Sequence, residues 1–367
     1  MKESPIECGD KKLLLLRPIP ETPIEQVSAF TPDSLRAKPV MNFSLQELKA
    51  KMETSEGKRV MSVDIGGSKV TAATFVVRNG SLHKETDSLE TLLKKGGEDC
   101  LPFLEFLAKK SSAESIPIGL STTGIVEGTR LTKASRIPIL FEQLHEYERD
   151  FAKLFPTLST VTNDAVAGVM GGSFEAAADN YSKTQNVILL INGSGFGGAV
   201  LKDGKIWATE PGHVEAIPEL NPFNQKSPCL LLDGRVTSCI ANCAGGRAIE
   251  AIWHQQTGGV LSAKEIGTLS QQGDDSALKL FDSSARLVSS AARGMMQAFD
   301  LDQNSIPVTV ICHGGMFEMP EYGTRVAQIL QKGVERKPII LFTKDFENDP
   351  CLIGAAIAAL QGPKDLH

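Results

Sequence analysis

Val161-Thr-Asn-Asp164-Ala lies between two copies of one pattern, and the three stretches read together decide the fold. The first copy is Val60-Met-Ser-Val-Asp64-Ile-Gly-Gly-Ser-Lys69-Val, running on into Thr71-Ala-Ala-Thr-Phe-Val-Val77. The second is Asn186-Val-Ile-Leu-Leu-Ile-Asn192-Gly-Ser-Gly-Phe-Gly-Gly198-Ala-Val. Each reads as an apolar strand, a glycine-rich turn and a second strand. Glycine carries no Cβ and reaches positive φ, so backbone N–H groups in such turns can close around phosphate oxygens. A single Gly-Gly turn is weak evidence, because hairpins use glycine for their own geometry. Two matched copies flanking an Asn-Asp pair point to phosphoryl transfer onto a small hydroxylated substrate, a sugar above all.

Strand triplets followed by helical spacing occur on both sides of that pair. This predicts an α/β protein of two similar domains with the active site in the cleft between them. Arg78-Asn-Gly80 and Asp203-Gly204 read as hairpin turns. Pro102 to Lys109, Phe141 to Phe155, Ala165 to Ala178, Arg247 to Gln256, Ser283 to Phe299, Tyr322 to Lys332 and Pro350 to Gln361 read as helices. Residues 209–246 read as irregular and hold most of the candidate ligands. Ahead of the first copy, an arm of about 57 residues shows one clear signal. Ser44 with Glu47 three residues on is a capping box, so a short helix starts there.

At 367 residues the chain exceeds what one core sustains, in keeping with two domains. Its hydrophobic fraction of 41% and charged fraction of 22% are those of an ordinary globular protein. A formal charge of −6 argues against a nucleic-acid-binding surface spread over the chain. Seven scattered cysteines, an odd number, suit a reducing compartment better than a disulfide framework. No apolar run approaches the roughly 20 residues that span a bilayer. The expected setting is cytoplasmic, with no membrane and no nucleic-acid partner.

Asp164 is the expected general base, since a carboxylate of ordinary pKa is ionised at neutral pH and can accept a hydroxyl proton. Its competing reading is a cap for the Ala-rich helix that follows. Asp64 would repel a phosphate directly but can hold a hydrated Mg2+ that bridges phosphates; its bland reading is a turn-forming Asp. Lys69 reads either as a mobile charge beside the phosphates or as a solvated strand residue.

In these motifs the chain resembles the ROK family (repressors, open reading frames and sugar kinases) of the actin-like ATPase superfamily, over roughly residues 59 to 361. Asp64-Ile-Gly66-Gly67-Ser68-Lys69 is similar to the first phosphate motif, and Gly193-Ser194-Gly195-Phe-Gly197-Gly198 to the second. Gly119-Leu-Ser-Thr-Thr123-Gly124 resembles the sugar loop, Asn163-Asp164-Ala165 the catalytic motif, and Glu210-Pro-Gly-His213 the family's Glu-x-Gly-His segment. His313-Gly314-Gly315 is similar to the adenosine-side turn.

The resemblance implies two actin-like (ribonuclease H-like) α/β domains flanking a cleft. The small one takes 58–162 plus 353–367, the large one 163–352, and residues 1–57 form an N-terminal extension. It implies ATP and Mg2+ as cofactors, sugar bound by Asn163, Glu210, His213, Thr123 and Gly124, phosphorylation at a 6-hydroxyl of a hexose or amino sugar, and a homodimer.

It also implies a structural zinc joined by His213, with Cys229, Cys239 and Cys243 as the other candidate ligands. Here the family's compact cysteine cluster is spread out, and only Cys239 falls in register. The family's sugar-binding Glu is replaced by Ala241. Tetrahedral zinc wants four N/S ligands close together, and free buried cysteines are the favoured alternative. The competing function is a non-catalytic sugar-sensing regulator, against which stands the lack of a clear helix-turn-helix in the arm.

Overall fold

The computed structural model describes residues 31–362 except 86–87, 93–99, 135, 179–184, 222, 230–234, 302–305 and 333–334. The first thirty residues of the N-terminal extension therefore lie outside the described part.

Both glycine patterns fold as antiparallel pairs. Arg59–Ile65 runs against Lys69–Arg78 with Asp64 opposite Thr71, and Asn186–Asn192 against Phe196–Lys202 with Asn192 opposite Phe196. Each pair sits inside a six-stranded sheet. The first sheet is ordered Ser81–Lys84, Lys69–Arg78, Arg59–Ile65, Ile118–Thr122, Leu158–Asn163, with Leu89–Leu92 also paired to Lys69–Arg78. The second is ordered Lys38–Asn42, Lys205–Thr209, Phe196–Lys202, Asn186–Asn192, Thr309–His313, Ile339–Phe342.

In each sheet an antiparallel run, three strands in the first and four in the second, is followed by two parallel strands. Strands such as Val60–Val63 and Val187–Leu190 are buried throughout, which is why they read as unbroken apolar runs. The parallel arrangement brings the C-terminal ends of Arg59–Ile65, Ile118–Thr122 and Leu158–Asn163 to one edge. Open α/β sheets bind ligands there.

Two helices fill the space between the sheets. Asp164–Ala178 starts where its strand ends and packs on the second sheet, and Pro350–Gln361 packs on the first sheet and on Asp164–Ala178. They touch backbone to backbone. A Cβ on Gly354 would overlap the Ala167 main chain, 2.7 Å from its Cα, and one on Gly171 would lie 2.9 Å from the Pro350 carbonyl carbon. The interlayer core adds Val166, Val169, Met170 and Ile357 to sheet residues such as Phe75 and Leu189. Separate cores back the outer face of each sheet.

The arm belongs to this interlayer. Lys38–Asn42 adds an antiparallel strand to Lys205–Thr209, and Phe43 N donates to Gly204 O at 2.7 Å. Ser44 then caps the helix Leu45–Glu53, accepting from Glu47 N at 3.3 Å, and the helix buries Leu48 and Met52 beside Met41 and Phe43. Both hairpin turns form, with Asn79-Gly80 and Asp203-Gly204 all at positive φ.

The stretch 141–155 is not one helix. Helix Pro138–Gln143 passes into a 3₁₀ turn, Glu148 and Arg149 take φ of 55° and 58°, and Asp150 caps a new four-residue helix, Phe151–Leu154. The apolar spacing survives because Leu140, Leu144, Phe151 and Phe155 still reach one core. The region 209–246 is less irregular than its composition suggests, with a small hairpin, Ser227–Cys229 with Arg235–Thr237, and the helix Ile240–Ala244. Asp275–Ala298 starts eight residues before the sequence expectation, capped by Asp274. Among the described residues no helix is long and apolar enough to cross a membrane.

Candidate active site

One cavity of about 690 Å³ gathers the sequence's scattered candidates. Its walls include Asp64, Gly66, Gly67, Ser68 and Lys69 from the first turn and Gly193, Ser194, Gly195 and Gly197 from the second. Thr123, Gly124, Asn163, Asp164, Glu210, His213, Gly314 and Gly315 line it too, and its volume suits a small-molecule site. Of the expected phosphate residues only Gly198 lies behind the wall, its Cβ position 2.6 Å from Leu189 O.

The turns are built by proximity and not by positive φ. None of the glycines at 66, 67, 193, 195, 197 or 198 takes a positive φ. A Cβ on Gly67 would lie 2.6 Å from Ser194 Oγ, so the two turns meet across the cleft. At Gly193 and Gly197 a Cβ would meet nothing within 4 Å, which leaves open space beside their backbone. The second turn is braced from behind, where Asn192 Nδ2 donates to Tyr322 Oη at 2.8 Å.

Asn163 and Asp164 divide the labour at the helix start. Asn163 Oδ1 accepts from Ala165 N at 2.9 Å and its Nδ2 donates to Gly124 O at 2.9 Å, fastening the 123–124 loop to the helix. One amide hydrogen and one lone pair of Asn163 remain for a ligand. Asp164 Oδ1 also accepts from Ala165 N at 2.9 Å. Burial pushes Asp164 up to about 6, with the Ala165 N–H, His313 and the Thr123 hydroxyl pulling the other way. This is a carboxylate tuned toward neutrality, not the ordinary one that sequence suggests.

Glu210 is pushed up to about 7 by burial and by Asp164, with Arg36 opposing. His213 is held down at about 4 by burial and by Arg136 and Arg36, so its imidazole is neutral at physiological pH. The arm reaches this point, since Glu210 N donates to Leu35 O at 2.8 Å. Ala241 lies beneath, its Cβ 3.1 Å from the Cβ position of Gly212, and supplies no polar group.

Asp64 accepts from Ser121 Oγ at 2.7 Å. Burial raises it well above the ordinary range, and Asp349 and Asp164 add to the rise. Asp349 was missed in sequence because it reads as a helix cap, which it also is, accepting from Cys351 N at 2.8 Å. Acids crowded in this way are the setting in which a divalent cation is held. Lys69 is turned aside at the rim, where its Nζ pairs with Glu90 at 2.9 Å. Cys351 stays a thiol, raised by burial and by Asp64, Asp349 and Asp164, and donates to Asp164 O at 3.5 Å.

His213, Cys229 and Cys239 bring one ligand atom each within 4.8 Å of one another, and His213 Nδ1 lies 2.9 Å from Cys229 Sγ. Cys243 stands apart, its thiol 3.7 Å from the carbonyls of Gln225 and Ser238. One N and two S donors fit zinc chemistry with a position left over.

Residues 60–362 match the ROK family model. The chain is 28% identical over 309 residues to an N-acetylmannosamine kinase of Yersinia pseudotuberculosis, covering 82% of this chain and 97% of that one. It is 26% identical over 274 residues to an N-acetyl-D-glucosamine kinase of Haemophilus influenzae, covering 69% and 83%. The fold is that of a ROK family glucokinase from Streptomyces griseus solved with glucose and AMPPNP, at a TM-score of 0.58 and 21% identity over 83% of this chain and all of that one. Two α/β layers built on six-stranded sheets thus flank the cavity, and the chain belongs to the ROK family.

Proposed function

We propose that the chain is an ATP-dependent kinase of a hexose or N-acetylated amino sugar, with Asp164 as the base. The observation that carries this reading is the convergence of Asp164, Glu210 and both glycine turns on one cavity. The kinase activities of the two curated relatives support it. In this reading Asn163, Thr123, Gly124, Glu210 and His213 hold the sugar. Asp164 takes the proton of the attacking hydroxyl, a P–O bond forms to the terminal phosphorus, and the bridging P–O bond breaks with its electrons leaving on ADP. Asp64 and Asp349 would hold a hydrated Mg2+, which neutralises phosphate charge. The halves of the chain on either side of the cavity would close over the sugar and exclude water.

The test is ADP release against glucose, mannose, fructose, N-acetylglucosamine and N-acetylmannosamine. Turnover of at least one supports the proposal. If none reacts while one of them raises the melting temperature, the chain is a sugar-binding regulator instead.

The pH profile is a sharper check on the base. Asp164 must be deprotonated to act and is raised to about 6. kcat/KM for the sugar should therefore fall at least about tenfold per unit below that pH, with any contribution of Glu210, raised to about 7, setting in just above it. A profile still flat at pH 4.5 would remove Asp164 from the role.

Zinc is proposed at His213, Cys229 and Cys239, where it would fix the loop that presents His213 to the sugar. Protein purified without chelator should carry about one zinc per chain, and Cys239→Ser should lose it together with melting temperature. Metal analysis finding none would leave three free ligands in a loop held by packing.

A further inference from the structure

Arg136 occupies a place that no sequence signal marked. It lies just before helix Pro138–Gln143 and lines the cavity from the small-domain side. Its Cβ is 3.3 Å from the Cβ position of Gly67, and a Cβ on Gly195 would fall 2.6 Å from its Cζ. One side chain therefore spans both glycine turns, with its guanidinium resting on the second.

Among the described residues no carboxylate pairs with the guanidinium and no group forms a hydrogen bond with it. Burial and the neighbouring Arg247 pull its pKa down, against weaker support from Cys239 and Cys229. Arginine does not shed its proton in proteins. A guanidinium withdrawn from water without a partner is costly, and its planar fork matches phosphate oxygens two at a time. Three acids of the cavity have hydrogen bonds elsewhere, Asp64 with Ser121, Asp164 with Ala165 and Asp349 with Cys351, and Glu210 lies 3.8 Å from His213.

We infer that Arg136 clamps the terminal phosphoryl group of the nucleotide between the two glycine turns. This assignment rests on the kinase reading above. Arg136 exchanges no proton; it holds the charge of the equatorial oxygens while the acceptor oxygen bonds to phosphorus and ADP departs. The competing occupant is an acidic group on the acceptor, because the same guanidinium also acts on His213. Its seat on Gly195, with Gly67 on the other side, favours the nucleotide.

The test compares Mg-AMPPNP and Mg-ADP binding by titration calorimetry in the wild type, Arg136→Gln and Arg136→Lys, each checked for folding by thermal melting. The wild type should bind AMPPNP at least about tenfold tighter than ADP, Arg136→Gln should lose that preference with ADP affinity unchanged, and Arg136→Lys should keep part of it. kcat of Arg136→Gln should fall about 10²–10³-fold with little change in sugar KM. A wild type without the preference, or a glutamine variant that retains it, overturns the assignment. A variant changed in acceptor KM alone assigns the guanidinium to an acidic acceptor and overturns it equally. The binding comparison needs no turnover, so failure to find a phosphorylated sugar would sink the kinase reading without deciding what Arg136 holds.

Discussion

Asp164→Asn should lower kcat by about 10²–10⁴-fold while leaving the dissociation constants of sugar and nucleotide within about threefold. The amide has the shape of the carboxylate and keeps an oxygen for the Ala165 N–H that Asp164 Oδ1 now accepts. What it lacks is the basicity to take a hydroxyl proton. The variant also separates the two readings of this position. Asparagine caps helices about as well as aspartate, so a capping role alone predicts a protein of unchanged stability and unchanged rate. Asn163 already accepts from the same N–H at 2.9 Å, which further insulates the helix from the substitution. Single-turnover kinetics with calorimetric binding would separate loss of chemistry from loss of affinity. A rate within threefold of wild type would dismiss Asp164 as the base.

Gly354→Val should unfold the chain or destabilise it by more than about 3 kcal/mol, beyond the usual range for an overpacked core. Most core positions adjust by moving a side chain. Here the obstacle is the main chain of Ala167, 2.7 Å away at its Cα, on a helix itself wedged between two sheets. Neither helix can retreat without opening the interlayer core. Gly354→Ala should show a smaller loss of the same sign, giving a graded series in urea midpoint if the valine variant is insoluble. A valine variant melting with wild type would mean that the helices do not touch as described. The substitution bears on function as well, because the crossing seats Asp164 and Asp349 at the starts of the two helices.

The doubly repeated sheet was legible because buried strands and glycine turns leave contiguous signals. Val60–Ile65 and Val187–Ile191 announce themselves by composition alone. The closing helix Pro350–Gln361 was equally plain, since nearly every residue in it is small or apolar. The failures came where tertiary contacts overrule local pattern. Nothing in the apolar spacing of 141–155 forbids one helix, and only Glu148 and Arg149 at positive φ break it. Helix Ala263–Gln271 carried a usable signal that passed unread, the capping box of Ser262 and Glu265.

At the site, motif residues were readable and solitary ones were not. Asp349 looks like a cap and Arg136 like a loop cation; only the folded chain brings them to the cavity wall. Lys69 keeps both of its readings, since it lines the cavity while its Nζ pairs with Glu90 at the rim.

The strand Lys38–Asn42 bears on how far the second sheet can extend. Among the described residues it is the outermost strand on its side, and it begins Lys38-Pro39 with an irregularity before Met41. Proline offers no N–H, lysine resists desolvation, and a break in register spoils the row of free backbone groups. A seventh strand from another molecule finds a poor template there. The same short segment that completes the ladder thus closes it to fibre-like growth.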